Sequence, residues 1–284
     1  MVKWRENLIV CALGYGYLSK YVFKRLCSLG VIGLGITSKQ NSHESLQNIF
    51  ISNRDKTNEA ISLSSHLLIT ASPEKMGCPI FNNFSRNIAH SNIRSIVYIS
   101  SSGVYGNHLG DWVYEESNIN ANSSFDKFRL KAENQWKNLC KRNNLKLNII
   151  RVAGIYGPER IKKFNKENII LVKKNHYFSR IHIYDIARLV TKILLESNSN
   201  QVWNLADDNP STREDFLKEV IRLKGIKKYK IMKYSQHSLK LSEKAKKFWL
   251  NNKKVSNQKV KKFFKYRFIF PSFKSGLKNL KEYL

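Results

Sequence analysis

The stretch Asn7–Leu13 is apolar from Leu8 onward and runs directly into Gly14-Tyr-Gly16-Tyr-Leu-Ser19. From Leu18 to Leu29 the apolar residues then recur at helical spacing. A strand, a glycine turn and a helix in immediate succession leave few folds open. The first glycine suits a tight turn. The second lets the backbone approach a pyrophosphate, which then rests on the amino end of the helix. The third position of such a turn calls for a small side chain, and Ser19 is small. The motif therefore predicts dinucleotide binding through Gly14, Gly16, Tyr17 and Leu18.

Further apolar runs of strand length follow at Val31–Ile36, His66–Thr70, Ser95–Ser100 and Lys146–Val152, with a helix expected over Phe125–Arg142. Strands alternating with helices imply an α/β chain with a doubly wound, Rossmann-type parallel sheet, and ligands at the carboxyl ends of its strands. About 20 residues past the glycine turn, an acidic residue would hold the ribose of NAD. The chain instead reads Thr37-Ser38-Lys39, three donors with no carboxylate to repel a 2′-phosphate. NADP is thus favoured, with NAD left open. Ser72, beyond the His66–Thr70 run, would flank the cofactor from the other side.

The second half is less regular. Asp185 is expected to cap a helix over Asp185–Glu196, and Val202–Ala206 reads as a strand. Ser211-Thr-Arg-Glu214 has capping-box spacing and opens a helix to about Leu223. A proline turn at Pro271 and a short helix close the chain. The expected division is a dinucleotide-binding domain over 1–152 and a smaller α/β substrate domain over 153–284. Within the latter, 178–206 returns to the core and the carboxyl-terminal segment is basic.

The formal charge is +29, and residues 224–284 hold 19 of the 50 basic side chains against 2 of the 21 acidic ones. Such a stripe could mark nucleic acid or an anionic membrane surface. Lysines outnumber arginines 36 to 14, however, whereas phosphate-reading surfaces lean on arginine forks. Lysine at solvated positions is the preferred reading, and nucleic acid is not an expected partner. Phe248, Trp249, Leu250, Phe263, Phe264 and Phe270 argue that this segment packs on something. No apolar run reaches the roughly 18–20 residues of a membrane span. The four cysteines form no CxxC pair, so a zinc site is not expected and a reducing, cytoplasmic setting is.

At Ser100-Ser-Ser-Gly-Val-Tyr-Gly106 the chain resembles the extended short-chain dehydrogenase/reductases, the NAD(P)-dependent epimerase/dehydratase group. Arg151-Val-Ala-Gly-Ile-Tyr-Gly-Pro158, Phe178-Ser-Arg-Ile-His-Ile-Tyr-Asp-Ile-Ala187, Lys254-Val-Ser-Asn257 and Phe270-Pro-Ser-Phe-Lys-Ser-Gly-Leu277 extend the likeness. The resemblance implies that Ser101 binds the reacting oxygen and that a Tyr-x-x-x-Lys pair follows, the tyrosine eight residues before a helix glutamate. Counting back from Glu133, Phe125 stands for the tyrosine and Arg129 for the lysine. A neighbouring register offers Lys127 and Lys131, again without a tyrosine. The chain is thus similar to atypical members lacking the catalytic pair, and cofactor binding is implied more strongly than the usual redox step.

Tyr105, Lys127, Tyr156 and His182 are the other candidate proton donors, with His182 nearest neutrality. Packing roles are the plainer readings for Tyr105, Tyr156 and His182, capping for Asp185, and solvation for Glu115 and Glu116. Three functions follow. One is an epimerase-, dehydratase- or reductase-like enzyme acting on a nucleotide-sugar or small carbonyl compound, with an uncommon proton donor. The second is a non-catalytic dinucleotide sensor or scaffold, and the third nucleic-acid binding through the basic segment. Pairing of two copies through the Phe125 helix is left open.

Overall fold

Each apolar run is flanked by turn formers or polar residues, and each forms a strand of a single sheet. A computed structural model describes residues 8–38, 49–51, 53–161, 169–241, 246 and 249–283. The sheet strands are β1 (Ile9–Leu13), β2 (Ile32–Thr37), β3 (Ile49–Ile51), β4 (His66–Ile69), β5 (Ser95–Ser101), β6 (Lys146–Val152) and β7 (Gln201–Leu205). Between them run α1 (Tyr17–Cys27), α2 (Arg54–Leu63), α3 (Pro79–Ala89), α4 (Ser124–Arg142) and α5 (Ile183–Glu196). The strand order is β7-β6-β5-β4-β1-β2-β3. Pairing of β1 with β2 and β4, of β2 with β3, and of β4 with β5 is parallel. The order steps outward from β1 in both directions, which is the doubly wound topology expected from the sequence. It puts the switch point, where ligands of such sheets bind, between β1 and β4.

The chain forms two compact units. The first comprises 1–101, 124–151 and 186–203; the second comprises 102–123, 152–185 and 204–284. Residues 102–123 therefore go with the second unit rather than with the expected 1–152 domain.

In the first unit, period-2 alternation puts Cys11, Leu13, Leu67, Ile69, Ile96, Tyr98, Leu147 and Ile149 into one core. Ala60 and Ile61 of α2, Phe84 and Ile88 of α3, and Ala132, Trp136 and Cys140 of α4 pack there as well. The last three recur at helical spacing, so a helix carrying many charges still presents an apolar stripe.

The second unit is built from short strand pairs. Trp112–Val113 pairs with Lys254–Val255, Gly154–Tyr156 with Arg180–His182, Tyr177–Phe178 with Ser211–Thr212, and Ile169–Val172 with Lys230–Lys233. Its longer helices among the described residues are α6 (Arg213–Leu223), α7 (Gln258–Phe264) and α8 (Phe273–Asn279). The capping box before α6 uses Thr212 and Asp215, one residue beyond the expected pair. Val220, Phe273, Leu277 and Leu280 pack around Tyr156. The basic carboxyl-terminal segment is thus a folded part of this unit, with Trp249, Tyr266 and Phe270 buried, although Leu250 and Phe263 are exposed. Phe248 lies outside the described residues.

Asp185 does not cap α5. It sits inside the first turn, fully buried, and its carboxylate accepts from the Tyr266 hydroxyl at 2.8 Å and from the Ile269 and Phe270 amides at 2.9 Å. The side chain that was expected to start a helix instead anchors the loop before α8.

Candidate functional site

The glycine turn lies at the carboxyl end of β1, beside the switch point. Gly14 has φ +96°, and a Cβ there would come within 2.5 Å of the Ala71 backbone nitrogen. Only glycine meets both conditions. The amides of Gly14 and Tyr15 donate to the Ile36 carbonyl at 3.0 and 2.7 Å, which binds the turn to the end of β2. The Thr70 hydroxyl donates to the Gly14 carbonyl at 2.5 Å and lies 3.1 Å from the buried Ser19 hydroxyl. Ser19 is therefore more than small: it ties α1 to the end of β4, a contact that the turn motif alone did not reveal.

Gly16 is the residue before α1. No side chain caps the helix there. A Cβ at Gly16 would meet nothing closer than the Gly14 carbonyl oxygen at 3.7 Å. The fold thus does not require glycine at 16, while an anion approaching the helix amides would. Tyr17 and Leu18 open the helix, and Leu18 is buried. Thr37 closes β2 and is buried; Ser38 follows it, exposed. No carboxylate stands at either position. Lys39 lies outside the described residues. Ser72 is exposed, three residues beyond β4.

A second group forms where β5, β6 and α4 meet. Glu133 is fully buried. It accepts from the Ser100 hydroxyl at 2.6 Å, and from Nε and Nη2 of Arg151 at 3.2 and 2.8 Å. This fixes the rotation of α4. Phe125 and Arg129, eight and four residues earlier, share the face of Glu133. Phe125 is 58% exposed and Arg129 half-buried. Lys127 and Lys131 are exposed, and the Lys131 ammonium donates to the Lys75 carbonyl at 3.4 Å. Ser101 ends β5 half-buried; strand alternation turns it to the face opposite Ser100.

The remaining candidates lie in the second unit. His182 is fully buried among the rings of Tyr156, Tyr184 and Phe270, with centroids 5.1, 4.9 and 4.2 Å away. The Tyr184 amide donates to Nδ1 at 3.2 Å, so the neutral ring carries its proton on Nε2. Burial lowers the imidazole pKa to about 4. The ring is neutral at pH 7 and reaches no solvent. Tyr156 donates to the Ser272 carbonyl at 3.3 Å, and burial drives its phenol far above the ordinary value. Tyr105 is buried and donates to Asn204 Oδ1 at 2.8 Å. Glu115, half-buried, accepts from the Asn204 amide at 2.9 Å; burial raises its pKa. Glu116 lies 3.9 Å from the Lys259 ammonium. All these groups are tied into the second unit.

Two buried charged residues there escaped the sequence reading. The Arg180 guanidinium donates to Ser211 Oγ at 2.8 Å and lies 4.4 Å from the centroid of the Phe216 ring. Asp207 is almost fully buried, and desolvation raises its carboxyl pKa to about 8. Arg151 and Arg180 both interrupt apolar strand sequence. A lone arginine in a buried strand needs a partner, and that signal could have pointed to the glutamate on α4.

Residues 83–206 match the model of the NAD dependent epimerase/dehydratase family. No curated protein matches the chain. A functionally unknown conserved protein from Silicibacter pomeroyi is 26% identical, with 96% of this chain and 98% of that one covered and a TM-score of 0.87. The UDP-N-acetylglucosamine 4-epimerase from Bacillus cereus is 13% identical over 98% of this chain and 96% of that one, with a TM-score of 0.77. The UDP-glucose 4-epimerase from Thermus thermophilus, solved in complex with NAD, is 13% identical over 97% and 98%, with a TM-score of 0.73. At such identities these two epimerases show the fold. Residues 83–206 are thus similar to the NAD dependent epimerase/dehydratase family, and the chain shares its fold with solved epimerases.

Proposed function

We propose that the chain binds a nicotinamide dinucleotide at the Gly14–Ser19 turn and acts on a nucleotide-sugar or small carbonyl compound, with a proton donor other than the usual tyrosine. The observation that carries this reading is Gly16. It opens a helix that no side chain caps, at the switch point of a doubly wound sheet, and nothing in the fold itself demands glycine there. The residues fit the cofactor. Gly14 makes the tight turn, Gly16 leaves room for a pyrophosphate against the amides of α1, and Thr37 and Ser38 bring no carboxylate to repel a 2′-phosphate. NADP is the form we propose.

A bound nicotinamide supplies reversible two-electron exchange with a carbinol carbon. The chain's part is to orient and to move a proton. Ser101 is proposed to hold the reacting oxygen, and Arg129 to hold the cofactor's ribose hydroxyls. Phe125 holds no proton, so α4 supplies none at the position where the family resemblance places one. His182 and Tyr156 are buried and neutral at pH 7, which takes them out of the role. We assign the proton transfer to solvent or to a hydroxyl of the substrate.

The test is a titration of NADPH and NADH into the protein, followed by fluorescence, with Gly16→Asp as the control. Saturable NADPH binding that the variant loses supports the proposal; no binding of either nucleotide overturns it. With binding in hand, UDP-sugars are the first substrates to screen, because the solved epimerases named above act on them. The non-catalytic sensor reading has one observation in its favour, the exposed phenyl ring of Phe125. It predicts that bound NADPH is not oxidised by any carbonyl compound in the screen.

A further inference from the structure

The first unit holds a groove that none of this chemistry uses. It lies where the carboxyl-terminal half of α4 passes β6 and the edge strand β7, and its volume is about 450 Å³. That falls in the range of pockets that enclose small organic ligands, about 300–1,000 Å³. Its floor is apolar. Leu147 and Ile149 belong to the main core, and Val202 packs on them half-buried, so the floor is held rigid from beneath. Its rim carries Lys137 and Lys141, one helical turn apart and both exposed. Among the described residues neither ammonium makes an ion pair, and no carboxylate lines the groove.

We infer that this groove binds an amphipathic carboxylate, its apolar body on Leu147, Ile149 and Val202 and its head between Lys137 and Lys141. The division of labour follows from the two surfaces. The floor offers only dispersion and desolvation, so it calls for a chain or ring. The rim offers two mobile point charges whose stems can lie along apolar surface while their heads stay in water. With no carboxylate in the lining and the Glu133 carboxylate one turn away already paired with Arg151, the ammonium groups favour an anion over an alcohol of the same length. A second copy of the chain is a poorer occupant, because an isologous contact centred here would bring the lysines of both copies together.

The experiment uses the full chain with octanoate, and octanol as the uncharged counterpart, in calorimetric titrations. Two variants are compared. Lys137→Glu combined with Lys141→Glu reverses the rim charge on an exposed helix face. Gln201→Trp fills the groove from an edge strand, where a bulky aromatic suits the local structure. Thermal melts and the NADPH titration run alongside as controls of fold, and Lys137→Gln with Lys141→Gln replaces the glutamate pair should its melt change. Octanoate should saturate one site per chain and bind at least about tenfold more tightly than octanol, as a charge-assisted contact implies. The charge reversal should remove that preference, and Gln201→Trp should remove binding. Non-saturable uptake, equal binding of octanol, or an isotherm unchanged by either variant overturns the inference. NADPH affinity bears on the glycine turn alone, so the two proposals fail separately.

Discussion

The guanidinium of Arg151 and the carboxylate of Glu133 face each other through two hydrogen bonds, 2.8 and 3.2 Å long, wholly inside the first unit. The Ser100 hydroxyl completes the set at 2.6 Å. Removing one member of a buried pair strands the other charge, at a cost of about 3–5 kcal/mol, whereas replacing both by apolar residues is often neutral. Glu133→Gln and Arg151→Met should each lower the denaturation midpoint steeply. The double variant Glu133→Leu/Arg151→Met should recover most of that loss. A double-mutant cycle in urea measures the difference.

The two glycines of the turn should separate fold from ligand. Gly14→Ala puts a methyl group against the Ala71 backbone at a positive φ, so it should destabilise the protein by more than about 1 kcal/mol and weaken binding only as a consequence. Gly16→Ala has space and an ordinary φ of −144°, so its melting temperature should stay near that of the parent. Gly16→Asp should do the same while losing the dinucleotide. Melting curves and NADPH titrations of the three variants distinguish the roles.

The apolar runs at β1, β2, β4, β5 and β6 were legible because each strand is buried on both faces and its sequence is nearly continuous. β3 was not: Ile49–Ile51 is three residues long. The second unit was harder to read. Its paired strands are two to four residues long and distant in sequence, as in the contact of Trp112–Val113 with Lys254–Val255. No periodicity survives in pieces that short. The capping box at 212–215 was missed by one residue because Glu214 and Asp215 both offer a carboxylate at a workable spacing. The glycine turn was visible as a pattern. The demands that Ala71 and Thr70 place on it come from chain some 55 residues away, and only the folded structure supplies those.

Stability should pass through a maximum near pH 6.5. Burial lowers His66, His176 and His182 to about 4. Between pH 4 and 6.5 the unfolded chain therefore binds protons that the folded chain refuses, and stability falls as pH drops through that window. Asp207 acts in the opposite sense. Its folded pKa is raised from 3.8 to about 8, so the folded state binds the extra proton and stability falls as pH rises until that carboxyl ionises. Three histidines outweigh one aspartate below pH 6.5, and Asp207 prevails above it. Urea midpoints across pH 4–9 test the shape. Asp207→Asn, which cannot ionise, should flatten the alkaline limb and steepen the acid limb, where the Asp207 carboxyl otherwise opposes the three histidines.

Phe125 and Arg129 lie one turn apart on the face of α4 that Glu133 anchors, so rebuilding the missing pair requires no change of helix register. Phe125→Tyr adds a hydroxyl to a ring that is 58% exposed, and should change stability by no more than about 0.5 kcal/mol. Arg129→Lys replaces a planar fork with a compact ammonium on a half-buried position. If the fold already holds NADPH and a substrate in register, and lacks only a positioned acid, the double variant should raise turnover by about 10²–10⁴, the usual contribution of general acid catalysis. NADPH affinity should change little, because the pyrophosphate contacts of the glycine turn are untouched. A rise in turnover with unchanged affinity would show that α4 forms one wall of the reaction site. Unchanged turnover in the double variant, with affinity intact, would favour the sensor reading and place the chain's function in binding alone.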